Sequence, residues 1–137
     1  MGMDVDLPDV VAEVTAAFER YEKALVTNDV AVLDAIFRVD PRTIRYGASE
    51  NLYGYGEIKA FRAARSPVAL GRTLSKTVIT TYGRDFAVAS TLYDRPSAQG
   101  RVGRQMQTWV RFPDGWRVVA AHVSLMDSPR SDPQSPR

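Results

Sequence analysis

The stretch "GRQMQTWVRFPDGWRVVAAHVSLM", residues 103–126, decides how the chain folds. Pro113-Asp114-Gly115 supplies turn chemistry between two runs rich in Val, Trp and Thr, so the segment reads as a β-hairpin. Arg104, Gln105, Gln107 and His122 interrupt what is otherwise core-forming sequence. A buried hydrogen-bonding group left without a partner costs about 1–3 kcal/mol, so polar residues in such a sheet call for a reason.

Side chains alternate across a strand, which places Gln105, Gln107, Trp109 and Arg111 on one face and Arg104, Met106, Thr108 and Val110 on the other. In the second strand, strict alternation groups Trp116, Val118, Ala120, His122 and Ser124 against Arg117, Val119, Ala121, Val123 and Leu125. The small Ala120 beside His122 and Ser124 leaves room for a ligand, so that face is expected to line a pocket.

Outward from the hairpin, "RTLSKTVITTYG" and "RDFAVASTLYD" read as two further strands joined at Gly83-Arg84-Asp85, and Gly100 to Gly103 separates them from the last pair. Upstream the period changes. Val10, Val11, Val14, Ala17, Phe18, Tyr21 and Leu25 recur at helical spacing behind Pro8, predicting a helix over 8–27. Asn28 or Asp29 caps a second helix over 29–37, which ends before Pro41. "RTIRYG" (42–47) reads as a short strand and "ASENLYGYG" as a loop, and a third helix starts near Tyr55 and stops before Pro67. Helices followed by hairpins predict an α+β domain with helices packed on a curved antiparallel sheet, spanning 1–127. The Pro/Ser-rich tail 128–137 is expected to be disordered.

The 137 residues are 45% hydrophobic and 25% charged with a net charge of +2, and they include one histidine and no cysteine. No Lys/Arg run or basic-aromatic stripe suggests nucleic acid. The absence of cysteine excludes disulfides, a thiolate nucleophile and Cys-ligated metal. With a single histidine, no metal site is expected, and neither a phosphate-binding Gly loop nor a nucleophile elbow is present. The N-terminus is acidic and no apolar run approaches the ~18 residues of a membrane span, so the expectation is a cytoplasmic protein with no membrane partner and no cofactor.

Three groups of residues remain as candidates for chemistry. Arg45 sits in a short apolar strand, where it either pairs with a carboxylate such as Glu50 or Glu22 or grips an anionic ligand. Tyr21, on the apolar stripe of the first helix, is either core or a proton donor beside a cation. Asn51, Gln105, Gln107, His122 and Ser124 are the candidate substrate-binding groups, each with a plainer reading as a satisfied or solvated polar residue. Arg62, Arg65 and Arg72 read as a solvated basic face.

"YEKALVTNDVAVLDAIF", "DPRTIRYGASENLYG", "EIKAFRAAR", "TTYGRDFAVAS" and the hairpin together resemble the AtzH-like family, which includes the oxalurate-catabolism protein HpxZ. The resemblance implies the cone-shaped nuclear-transport-factor-two-like fold, shared with ketosteroid isomerase and the SnoaL-like cyclases. It also implies cofactor-free decarboxylation of an N-carboxylated urea, with Tyr21 and Arg45 at the family's catalytic positions, and a homodimer formed through the outer face of the sheet. Small residues are usual in the family where Met106 stands. The leading expectation is thus a cofactor-free enzyme of urea-type nitrogen catabolism acting on a small anionic substrate. The alternatives are a non-catalytic accessory subunit of a pathway amidase, and an isomerase or dehydratase using Glu22 or Asp40 as base.

Overall fold

A computed structural model describes residues 2–66 and 70–129. The elements run α1 (Pro8–Val26), α2 (Val30–Ile36), β1 (Ile44–Tyr46), β2 (Asn51–Tyr53), α3 (Tyr55–Ala64), β3 (Thr73–Tyr82), β4 (Phe86–Asp94), a 3₁₀ turn (Pro96–Ala98), β5 (Arg101–Phe112) and β6 (Gly115–Asp127). Proline at the start of α1 gives up an N–H that has no intrahelical partner. Asp29 caps α2 by accepting from the Val32 N–H at 3.2 Å. Beyond Pro129, the tail expected to be disordered lies outside the described residues.

The six strands form one sheet in the order β2-β1-β6-β5-β4-β3. β3 to β6 are consecutive antiparallel hairpins, whereas β1 joins β6 in parallel. Part of the stretch expected as a loop, Asn51–Tyr53, is β2, which folds back on β1 through the turn in which the Gly47 N–H donates to the Glu50 carbonyl at 2.8 Å. Three residues were too few to show a period-two pattern.

Val10, Val14, Phe18 and Tyr21 of α1, Leu33, Ile36 and Phe37 around α2, and Ile58 of α3 pack against Ala87, Ala89, Trp109, Trp116, Val118 and Ala121 of the sheet. Strict alternation does not survive along β6. Trp109 pairs with Val118 but Thr108 pairs with Ala120, which leaves Val119 as an extra residue, a β-bulge. The bulge reverses the parity of everything after it. Trp116 and Val118 face the helices, as do Ala121 and Val123 beyond the bulge, while Ala120, His122 and Ser124 turn to the outer face with Met106 and Arg104. Gly103 sits where Tyr93 crosses β5, and a methyl group there would overlap the Tyr93 ring, so only glycine admits that crossing.

Candidate active site

The register brings the helix-facing candidates into one row. Arg45 of β1 pairs with Ala121 of β6, and Ala121 pairs with Gln107 of β5. With neighbouring strands about 4.8 Å apart, Arg45 and Gln107 stand roughly 10 Å apart across a small alanine. Gln105 lies one row further along the same face, beside Thr91 and Val123. α1 covers this floor with Tyr21, which is 3% exposed and lies 6.2 Å from Phe37, centroid to centroid.

Arg45 takes the structural partner open to it in the sequence: its Nη1 donates to Glu50 Oε2 at 2.8 Å, and its guanidinium lies 5.7 Å from the Phe61 ring centre. Burial pushes the Glu50 carboxyl up, but the hydrogen bonds from Arg45 and Ser49 outweigh it and hold the group below its ordinary value of 4.5. A carboxyl whose folded value is depressed adds stability that is complete above its unfolded value and is lost as pH falls through the folded one. Melting temperature measured between about pH 7 and pH 3 should therefore fall less steeply for Glu50→Gln than for the wild type.

The arginines expected on a solvated face are not there. The Arg72 side chain is 1% exposed and that of Arg62 is 4% exposed. Arg72 Nε donates to Glu22 Oε2 at 2.9 Å and its Nη2 to Gln105 Oε1 at 2.9 Å, with the Tyr93 ring 4.6 Å from its guanidinium carbon. Arg62 donates to Asp34 at 3.1 Å and lies 4.8 Å from the Phe37 ring centre. Each buried cation thus has its carboxylate, as burial demands. Arg65 differs. Among the described residues its Nη2 reaches the neutral amide of Asn28, at 3.3 Å, and its Nε is buried without a partner. Burial pushes the Arg65 guanidinium below its ordinary value, Arg62 and Arg45 push it further, and Tyr21 acts in the opposite direction.

The two glutamines answer why this sheet holds polar groups. Trp109 Nε1 donates to Gln107 Oε1 at 3.1 Å, just as Arg72 donates to Gln105 Oε1, so both carbonyl ends are engaged. Both amide nitrogens are buried and have no partner among the described residues. Gln105 is 3% and Gln107 1% exposed, so bulk solvent does not reach these donors.

His122, Ser124 and Asn51 do not join this group. His122 and Ser124 lie on the outer face because of the β6 bulge, where Arg104 Nε donates to Ser124 Oγ at 3.2 Å and the His122 ring stands edge-on to Tyr46 at 6.0 Å. With Lys76, Ser90, Thr91, Leu92, Arg104 and Met106 they line an open hollow of about 630 Å³, which Gln105 also borders. Asn51 pairs with Tyr46 and is exposed. The sequence reading missed Arg65 and Arg72. Glu22 and Arg72 are 50 positions apart, so no local pattern links them. Among the described residues no group of three His, Asp or Glu side chains could hold a metal ion, and no helix is long and apolar enough to cross a membrane.

The carboxylates that an isomerase or dehydratase would use as base are engaged elsewhere. Glu22 is held by Arg72, and Asp40 accepts from Arg42 Nε at 2.9 Å and Nη2 at 2.8 Å, which holds its carboxyl well below the usual range.

Comparison with known proteins agrees with this architecture. A protein of unknown function from Pectobacterium atrosepticum, of the DUF3225 family, is 64% identical, with 90% of this chain and 96% of that one covered and a TM-score of 0.88. A cystatin-like fold protein from Burkholderia xenovorans is 49% identical over 93% of this chain and 100% of that one, with a TM-score of 0.90. An NTF2-like protein of unknown function from Pseudomonas putida, 19% identical over 97% and 94% of the two chains, shares the fold with a TM-score of 0.74. No curated protein matches the chain. The AtzH-like family model matches residues 3–129, and the chain belongs to the AtzH-like family, on the cone-shaped NTF2-like fold.

Proposed function

We propose that this protein is a cofactor-free enzyme that decarboxylates or hydrolyses a small anionic, urea-derived compound such as an N-carboxylated urea or oxalurate. The reading is carried by one observation: Arg45, Gln105 and Gln107 face the helices from the sheet, Tyr21 is buried in the helix layer, and the two glutamine amide nitrogens have no acceptor among the described residues. Buried amide donors on the same face as a guanidinium describe the complement of an anion rich in oxygen. Arg45 holds a carboxylate. As CO₂ leaves an N-carboxylate, the C–N bonding pair stays on nitrogen, which takes the Tyr21 hydroxyl proton, and water then returns a proton to the phenolate.

Incubation with a panel of carboxylated ureas, oxalurate included, with CO₂ and ammonia followed separately, tests this. Release of CO₂ alone identifies decarboxylation, release of ammonia identifies hydrolysis, and release of neither from any member overturns the enzyme reading. In that last case the accessory-subunit reading gains, and co-purification with an amidase is its test.

The outer face supports a homodimer as part of the same proposal. Val78, Phe86 and Met106 are 55%, 51% and 55% exposed on adjoining strands of that face. A second copy related by a two-fold axis offers the same apolar surface in return. Light scattering should give twice the chain mass for the wild type and the chain mass for Met106→Glu.

A further inference from the structure

We infer that Trp109 and Arg72 are positioning residues that lock the two interior glutamine amides with their NH₂ groups toward the ligand, so that the site selects oxygen acceptors and rejects carboxamides. The inference deepens the proposal of a small anionic ligand and rests on it for where the ligand sits.

The chemistry of the neighbours fixes which way each amide turns. An amide is nearly symmetric in shape, and a glutamine free to rotate can offer a ligand either its carbonyl or its NH₂. Here it is not free. The indole N–H of Trp109 and the guanidinium of Arg72 are pure donors with no lone pair to offer, so only the carbonyl end of each amide can face them. Trp109 is fully buried and fixed in the core, and Arg72 is fixed in turn by Glu22 and Tyr93. Rotating Gln107 would set NH₂ against N–H, and rotating Gln105 would set NH₂ against a cation. Both amide nitrogens are therefore held as donors, and neither has an acceptor among the described residues. A carboxylate or urea carbonyl satisfies them. A carboxamide of the same shape, turned to satisfy Arg45 with its oxygen, brings an N–H against an N–H.

Oxalurate and its carboxamide, oxaluramide, differ in this one group, and acetate against acetamide repeats the contrast with no urea present. Calorimetry on the wild type should show oxalurate binding at least about tenfold tighter than oxaluramide, the loss expected when a charge-assisted hydrogen bond gives way to opposed donors. In ¹⁵N spectra, oxalurate or acetate should move the side-chain NH₂ signals of Gln105 and Gln107, assigned by their loss in Gln105→Met and Gln107→Met. Trp109→Phe keeps an aromatic ring and removes the indole N–H, freeing Gln107 to rotate. The double variant Glu22→Gln/Arg72→Met frees Gln105 without leaving a buried charge alone. In either variant the acid-to-amide ratio should fall to within about threefold.

Equal binding of acid and amide by the wild type, glutamine NH₂ signals unmoved by either acid, or a ratio retained in both variants overturns the inference. The wild-type spectra decide it even if a variant fails to fold. Selective acid binding without turnover of any carboxylated urea sinks the enzymatic proposal and leaves the amide orientation standing. Turnover with a ratio near one does the reverse.

Discussion

Tyr21→Phe should lower the rate of CO₂ release on the order of a thousandfold while leaving the fold intact. The expected loss is that of a positioned general acid, which contributes about 10²–10⁴ in rate. The packing of the residue does not change. The ring that lies 6.2 Å from Phe37 remains, and the apolar stripe of α1 stays filled. Melting temperature should consequently shift by no more than about 2 °C. Substrate binding should also be largely kept, because the gripping groups are Arg45 and the two glutamines. Single-turnover measurement of CO₂ beside calorimetry of binding separates the effects. Full turnover by the Tyr21→Phe variant, on a substrate that the wild type decarboxylates, would remove Tyr21 from the chemistry.

Arg72→Met should cost about 3 kcal/mol of stability, which for a chain of this size is a fall of roughly 10 °C in melting temperature. The side chain is 1% exposed and that of Glu22 17%, so the substitution strands a mostly buried carboxylate and deprives the Gln105 carbonyl of its donor. The penalty comes from what is left behind rather than from the ion pair itself. Adding Glu22→Gln should thus recover more than half of the loss, and the non-additivity of the double-mutant cycle measures it. Denaturant unfolding of wild type, Arg72→Met, Glu22→Gln and the pair provides that cycle. If Arg72→Met alone is neutral, the Glu22–Arg72–Gln105 chain is not part of what holds the interior together.

Much of the frame was legible because it depends on local periodicity and turn chemistry. The period-3.6 stripe from Val10 to Leu25 became α1, Asp29 capped α2, and the Gly- and Pro-bearing turns separated the strands that form the β3–β6 meander. Gln105 and Gln107 were on one face because β5 runs without a bulge between them. Parity is a cumulative count, so one inserted residue, Val119, was enough to send His122 and Ser124 to the outer face, and nothing in "RVVAAHVS" marks which residue is the extra one.

What the sequence alone determined is the order and kind of most elements and the family resemblance, and it singled out Tyr21 and Arg45 as candidates. Only the tertiary structure decided which polar groups meet. Arg72 finds Glu22 across 50 positions and Arg62 finds Asp34 across 28, which turns two apparent surface charges into interior ones. The reason is physical: burial of a guanidinium is tolerable only where a carboxylate arrives from elsewhere in the chain, and that arrival is a property of the packed helices and sheet, not of any window of residues.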